Sequence, residues 1–211
     1  LGFRYRFSLD VKNSNLRKIG RMMVPRTMSL AVVQINLLVI TVIASTLASG
    51  SLTIFNFANN LQSFPVGIFG ISFAVAAFPT LSAYAFDKKE LVKSFSHVFR
   101  QILFFIVPAT VLFLTLRAQI TRVILGTGRF GWEDTILTFE TLGFFTLSLF
   151  AQASLPLLIR VFYARHNSLT PFYVGLSGVA ANIFLSYYFA GLYGVPGLAL
   201  AFSIANILQF A

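Results

Sequence analysis

The feature that most constrains this chain is a run of sixty residues, 27–86, that contains no Asp, Glu, Lys or Arg. A second run, residues 166–211, also lacks these four residue types. A helix rises about 1.5 Å per residue and crosses the hydrocarbon core of a bilayer in about 20 residues. Each run is therefore long enough to cross a membrane twice, which predicts an integral membrane protein.

The composition argues against a soluble domain and against several kinds of site. Apolar residues make up 57% of the chain and charged residues 10%, whereas a soluble domain carries about 25% charged residues. The chain has no Cys and only two His, which are far apart, so we expect no metal site and no cofactor. Since no nucleophile is accompanied by a general base, we do not expect an enzyme.

Hydropathy divides the chain into a basic, amphipathic link at residues 1–27 and a transmembrane region at residues 28–211. The apolar runs are continuous rather than alternating, which favours helices over the strands of a β-barrel. The sequence predicts an all-α polytopic membrane protein with six transmembrane helices, at about 28–48, 52–82, 98–116, 136–160, 171–189 and 194–211. Because the chain starts without Met and ends inside an apolar segment, we interpret it as an internal fragment.

The distribution of Lys and Arg predicts that the start of the chain is cytoplasmic. Thirteen of the 16 Lys and Arg residues lie before the first predicted span, or in the connections after the second and fourth spans together with the adjoining span ends; three lie between the third and fourth. Cytoplasmic loops carry the excess of these residues, so the net charge of +10 indicates orientation rather than nucleic-acid binding. Residues 10–24 predict an amphipathic surface helix, and Asp87 with Glu90 predicts the start of a short helix.

Polar side chains inside the predicted spans indicate the candidate site, because each must find a partner or line water. We predict that Gln34, Asn36, Asn59 and Asn60 face one hydrated substrate cavity, and that Pro65 is a hinge. Hydrogen bonding between helices is the alternative explanation for such residues. The pattern G-x-G-x-x-G at 126–131 lacks the βαβ context of a dinucleotide site, so we interpret it as an outer loop.

Several strings resemble the lipid II flippase family MurJ, also called MviN, of the multidrug/oligosaccharidyl-lipid/polysaccharide exporter superfamily. The most specific strings are FANNL at 57–61, FPVGIFG at 64–70 and FPTLS at 78–82, which are similar to the family's eighth helix. Other similar strings are GFRYR at 2–6, QIN at 34–36, GRF at 128–130 and RVFYA at 160–164. The resemblance implies helices seven to twelve of a transporter with fourteen helices.

The resemblance also implies a function for the whole protein. Members of the family move an undecaprenyl-pyrophosphate-linked peptidoglycan precursor across the bacterial inner membrane, by alternating access through a cationic cavity. The implied partners are that lipid substrate, membrane lipids and the N-terminal lobe of the same chain, and no nucleic acid.

Two positions depart from the family pattern. Asn60 stands where members usually carry an Arg that is thought to bind the pyrophosphate, so the resemblance implies that other residues supply most of the positive charge. Ile40 stands where members often carry an acid of a cation site, and some members carry another near Ser186. Among the residues of the family's cation site, only Asn182 matches in this sequence, so the resemblance does not imply sodium coupling through this lobe.

Two other functions stay open at this point. A flippase for O-antigen or another polysaccharide-linked lipid is the first, and Asn60 in place of Arg makes it less remote. A scaffold that assembles envelope machinery without transporting anything is the second. Inward-facing Arg and Asp residues in the first two helices of the N-terminal lobe would favour a transporter over a scaffold.

Overall fold

The computed structural model describes residues 14–125 and 131–211, which are almost entirely helical. A π-helical segment, Val66–Ile71, joins two of the helices. Within these ranges the α-helices are α1 Ser14–Ser45, α2 Ser51–Pro65, α3 Ser72–Ala83, α4 Lys88–Leu125, α5 Trp132–Thr146, α6 Leu149–Ala164, α7 Leu169–Tyr193 and α8 Val195–Phe210. The predicted all-α class is confirmed. The predicted loop at 126–130 and the first part of the predicted link lie outside the described residues.

The helices have the lengths and hydropathies that a membrane protein requires. Among the described residues, four stretches are long and apolar enough to cross a bilayer, namely Met23–Ser45, Ser51–Ala83, Lys88–Leu125 and Leu169–Tyr193. Helices α5 and α6 pass the same test together, with a bend of 48° between them, and α8 is a shorter apolar helix. The polytopic helical membrane protein is confirmed, with at least one helix in each of the six predicted segments.

A helix begins directly after Asp87, as predicted, but the prediction that it is short is wrong. The Oδ1 atom of Asp87 accepts hydrogen bonds from the backbone N–H groups of Lys89 and Glu90, at 3.0 and 3.2 Å, and thereby caps α4. The helix then continues without interruption into the third predicted span. Leu91, Phe95 and Val98, spaced four and three residues apart, pack in the same apolar cluster and extend its buried face.

The helix of the first predicted span begins earlier in the chain than predicted, because α1 is one helix from Ser14 through Pro25 to Ser45.

The fourth predicted span is broken between α5 and α6, at Leu147 and Ser148. Near this break, the carbonyls accept hydrogen bonds from hydroxyl groups in addition to those from backbone N–H groups. Ser148 Oγ donates to Phe145 O at 3.2 Å, and Ser203 Oγ on α8 donates to Phe144 O at 2.6 Å.

The buried apolar side chains form two clusters that divide the helices between them. The outer cluster, named for its side in the predicted orientation, joins α1, α2, α5, α7 and α8 and includes Phe55, Phe145 and Leu198. The inner cluster joins α3, α4 and α6 and includes Leu81 and Leu157. The spans formed by α2 with α3 and by α5 with α6 therefore contribute their two halves to different clusters.

Ser203 holds α8 against the break between α5 and α6, so we expect Ser203→Ala to lower stability. The substitution removes a buried hydrogen bond to Phe144 O and another at 2.9 Å to the hydroxyl of Ser148. Intramembrane hydrogen bonds contribute on average about 0.6 kcal/mol each, so the expected cost is about 1 kcal/mol. The midpoint of thermal unfolding of the full-length protein in detergent measures it, and Ser177→Ala, at an exposed hydroxyl on α7, is the control. An equal loss in both variants would contradict this role.

Candidate substrate cavity and polar clusters

Helix α1 presents its two predicted site residues on different faces. Each helical residue advances about 100° around the axis, so the side chains of Gln34 and Asn36, two residues apart, lie on nearly opposite sides of the helix. Gln34 is exposed and makes no hydrogen bond to another described residue, whereas Asn36 is half-buried. The Oδ1 atom of Asn36 accepts a hydrogen bond of 3.0 Å from the Nδ2 group of Asn182 on α7. The structure therefore does not bring these two predicted residues together.

Asn36 belongs to a polar cleft between α1, α7 and α8. Asn182 is almost fully buried, and its Oδ1 atom accepts a 3.3 Å hydrogen bond from Ser186. The cleft has a volume of about 250 Å³, and its polar lining consists of Ser29, Asn36, Tyr163, Asn182, Asn206 and Gln209. The lining is uncharged, so at this site the structure has amide and hydroxyl groups rather than a carboxylate cluster.

Asn182→Leu tests whether the amide pair holds α1 against α7. The substitution leaves Asn36 without its partner, which should lower the stability of the full-length protein by about 1 kcal/mol. The double variant Asn36→Leu/Asn182→Leu should recover part of this loss, because two apolar partners leave no unsatisfied amide. Thermal unfolding in detergent measures both variants. Strictly additive losses would show that the two amides are not coupled.

Helix α2 carries an exposed polar stripe, which consists of Thr53, Asn56, Asn60 and Ser63. Their spacing of three, four and three residues places them on one helical face. Asn60, one of the predicted site residues, lies in this stripe and makes no hydrogen bond to another described side chain or backbone group. Thr53 and Ser63 were missed in the sequence because only amides were considered there, although the helical spacing would have revealed them.

Asn59 lies at the border of the polar stripe, since it is three residues after Asn56 and four before Ser63. It is half-buried, and its Oδ1 atom accepts a 3.1 Å hydrogen bond from the Nε2 group of Gln62. Gln62 is fully buried, and its Oε1 atom has no hydrogen-bond partner in the described part of the chain. Asn59 thus has a neighbour on its own helix and is not joined to the amides of α1.

Pro65 ends α2 at the point where the helical hydrogen-bond pattern changes. It is buried, and the π-helical segment Val66–Ile71 follows directly. Proline lacks the N–H group that an α-helix needs, and π-helical turns are frequent at functional sites. In this segment Gly70 packs against the backbone of α6, where a Cβ atom would lie 2.7 Å from Ala153 Cα and from Ala153 O. The segment is therefore an irregular turn that is tightly packed on one side.

The described side chains offer no cluster for a metal ion. Across residues 14–125 and 131–211, no group of three His, Asp or Glu side chains is close enough to hold one. The polar side chains along the stripe on α2 and within the cleft beside α1 are amides and hydroxyls, which offer hydrogen bonds to a polar molecule.

Comparison with known proteins identifies the family. The model of the lipid II flippase MurJ family matches residues 1–211. Probable lipid II flippases MurJ from Vibrio cholerae and Thermotoga maritima are each 30% identical to the chain, over 204 and 208 residues. These alignments cover 95% and 99% of this chain, and 38% and 42% of the relatives. The chain thus spans about two-fifths of the length of these relatives.

Solved structures of transporters share the fold of this chain. A structure described as lipid II flippase MurJ in an inward closed conformation has a TM-score of 0.82 and 28% identity, and the match covers 98% of this chain and 44% of that one. An outward-facing multidrug transporter of the MATE family has a TM-score of 0.81 at 16% identity, with coverages of 98% and 46%, and shares the fold alone. Because the family model covers the whole sequence, the chain belongs to the lipid II flippase MurJ family.

Proposed function

We propose that the full-length protein flips lipid II, the undecaprenyl-pyrophosphate-linked peptidoglycan precursor, across the bacterial inner membrane by alternating access. In this proposal residues 1–27 form a basic cytoplasmic link, and residues 28–211 form most of the C-terminal lobe. The observation that carries the proposal beyond family membership is the exposed polar stripe on α2.

The polar stripe needs a polar environment, because an amide exposed to hydrocarbon loses several kcal/mol of hydrogen bonding. Four polar side chains follow one face of α2, while the rest of the helix is mostly apolar. The matched relatives are more than twice as long as this chain, so a second lobe is available to face the stripe. We therefore propose that the polar stripe lines the substrate cavity between the lobes.

The four predicted cavity residues take different parts in this proposal. Asn60 and Gln34 are exposed and offer their amide groups to the substrate or to cavity water. Asn36 is hydrogen-bonded to Asn182, so its part is to hold α1 against α7 behind the cavity wall. Asn59 is hydrogen-bonded to Gln62 on its own helix, so its part is to orient that buried amide. Pro65 and the π-helical segment after it form the hinge by which this wall bends.

The cavity wall supplied by α1 and α2 is uncharged from Thr27 onward, whereas the proposed substrate carries a pyrophosphate. Moving such an anion through a low-dielectric layer requires compensating cations, since an unpaired charge costs several kcal/mol. The cations that hold the pyrophosphate therefore belong mainly to the N-terminal lobe. Asn60 contributes a neutral hydrogen bond.

Substitutions of Asn60 test this division of roles in the full-length protein. Asn60→Ala should weaken substrate binding by about 0.5–1.5 kcal/mol, which is the net contribution of one hydrogen bond. Asn60→Arg should support growth, since it adds a cation beside the pyrophosphate. Growth of a flippase-depleted bacterium and exposure of lipid II on its outer surface measure both effects. Complete loss of growth with Asn60→Ala would contradict a minor role for this amide.

The same experiment distinguishes the proposed lipid II flippase from the main alternative function. A flippase for O-antigen or another polysaccharide-linked lipid is favoured by the uncharged side chain of Asn60 at a position where the resemblance implies Arg. If Asn60→Arg abolishes function while the protein folds normally, the cavity does not suit a pyrophosphate at this position and the alternative gains support.

The proposed orientation predicts opposite accessibility for two exposed positions. Lys89 is in the first turn of α4 and Glu133 is in the first turn of α5, so one span separates them. In a cysteine-free full-length background, Glu133→Cys should react with an impermeant maleimide added to spheroplasts, and Lys89→Cys should react only after permeabilisation. Reaction of both from the same side would contradict the topology.

A further inference from the structure

A second polar cavity lies at the end of the bundle where α4 finishes and α5 begins. This outer pocket has a volume of about 440 Å³, which is within the range of small-molecule sites, about 300–1,000 Å³. It is separate from the polar stripe and from the cleft beside α1. Its lining consists of Leu114, Arg117, Glu140, Gly143, Phe144, Leu147, Tyr193 and Pro196.

The outer pocket contains a cation held in a defined position. The guanidinium carbon of Arg117 lies over the ring of Phe139, 5.8 Å from its centre. Cation–π contacts reach to about 6 Å. Gly143 on α5 provides the room for it, because a Cβ atom at Gly143 would collide with Arg117 Nη1. The absence of a side chain at this position therefore allows the Arg117 side chain to lie along α5.

The outer pocket also contains an acid that is not paired with this cation. Glu140 is one turn from Gly143 on α5 and lines the same cavity as Arg117. In the described part of the chain neither side chain makes an ion pair or a hydrogen bond; the ion pair found there joins Lys93 to Glu90 at the other end of α4. One cavity thus presents one unpaired positive and one unpaired negative group.

Both charges lie below the ends of their helices. Arg117 is eight residues before the end of α4, and Glu140 is eight residues after the start of α5, which is about 12 Å in each case. Arg117 is half-buried and Glu140 is exposed, so both can meet a ligand of opposite charge. Ionisable side chains that face a cavity in a membrane protein are candidates for such binding. The pocket also has apolar lining, and Leu147 in it is exposed on the surface of the bundle. A ligand with both charges and an apolar tail would complement all three features.

We propose that the outer pocket binds the headgroup of a zwitterionic phospholipid that has a primary amine. The phosphate oxygens accept hydrogen bonds from the guanidinium of Arg117, whose planar fork suits a phosphate. The ammonium group donates to the carboxylate of Glu140. The acyl chains leave past Leu147 into the bilayer. The proposal concerns a resident membrane lipid, so it stands or falls separately from the flipping of lipid II.

Native mass spectrometry of the full-length protein tests the proposal. The protein is purified in detergent and mixed with equal amounts of phosphatidylethanolamine, phosphatidylcholine and phosphatidylglycerol with the same acyl chains. We expect phosphatidylethanolamine to be retained most. Phosphatidylcholine has no N–H donor for Glu140, and phosphatidylglycerol has no cation at all. Equal retention of the three lipids, or preference for phosphatidylglycerol, would overturn the proposal, and this comparison does not require any variant to fold.

Variants assign the binding to the two charges. Arg117→Gln should lower retention of phosphatidylethanolamine by roughly tenfold, the factor expected for a charge-assisted hydrogen bond. Glu140→Gln should instead remove the preference for phosphatidylethanolamine over phosphatidylglycerol. The matched controls are Arg122→Gln and Glu133→Gln, which alter exposed charges outside the pocket on the same two helices. An equal loss in the control variants, or no loss in either pocket variant, would overturn the proposal.

Discussion

Replacing Gly70 with Ala is expected to destabilise the protein more than any other single methyl addition in the π-helical segment. The added Cβ atom would lie 2.7 Å from Ala153 Cα and Ala153 O, and both are backbone atoms that cannot rotate away. Overpacking of this kind costs about 1–3 kcal/mol where side chains can adjust, so we expect at least about 3 kcal/mol here. The measurements are the unfolding midpoint of the full-length protein in detergent and its level in membranes.

Gly67→Ala provides the matched control within the same segment. A Cβ atom at Gly67 meets nothing within 4 Å, so the substitution should be neutral or stabilising by up to about 1 kcal/mol. If both variants are equally unstable, the cause is the loss of glycine from the π-helical segment and not the contact with α6. If both are stable, the segment and α6 are farther apart than the structure shows.

Asn60→Asp is expected to abolish transport while leaving the fold intact. The substitution keeps the size of the side chain and exchanges two amide donors for a negative charge beside the proposed pyrophosphate. At a separation of about 7 Å and an effective dielectric constant of about 20, each substrate charge adds on the order of 2 kcal/mol of repulsion. The two charges of a pyrophosphate together give about 4 kcal/mol, which weakens substrate binding by roughly a thousandfold. Growth of a flippase-depleted bacterium measures the effect.

Asn167→Asp is the control for Asn60→Asp, because it introduces the same charge in the exposed turn between α6 and α7. There the Oδ1 atom accepts a 3.1 Å hydrogen bond from the backbone N–H of Thr170, which an aspartate can also accept. We therefore expect Asn167→Asp to support growth. Normal growth with Asn60→Asp would contradict the placement of this residue beside an anion. Equal failure of both variants would point to a general effect of added negative charge.

Much of the fold could be predicted from the sequence because charge is so unevenly distributed along it. The uncharged run at 27–86 and the continuous apolar pattern predicted helices of spanning length, and the exposed amide of Asn60 was among the predicted site residues. The ends of the helices were harder to predict. Helix α4 and its apolar face begin before the apolar run that defined the predicted span, as Leu91 shows. The break at Leu147 lies beside a hydroxyl from α8, which is distant in the sequence.

The pairings within the site could not be predicted, because they join distant parts of the chain. Asn36 is 146 residues from its partner Asn182, and hydropathy does not show which face of α1 would turn toward α7. Arg117 and Glu140 likewise belong to different predicted spans, and only the packing of α4 against α5 places them in one cavity. Helical periodicity limits the faces that are available, but tertiary packing selects among them.

The division of the apolar core into two clusters has a consequence for how such a lobe can change shape. Residues from α2 and α5 pack in the outer cluster, and those from α3 and α6 pack in the inner cluster. Both spans lose regular α-helical geometry where they pass from one cluster to the other, at Val66–Ile71 and at Leu147–Ser148. Each of these two spans therefore divides its packing between two apolar clusters, and Phe113 of the continuous helix α4 packs against both clusters. A change of angle at either irregular segment would therefore move one half of its span relative to the other half without first unpacking the cluster on either side.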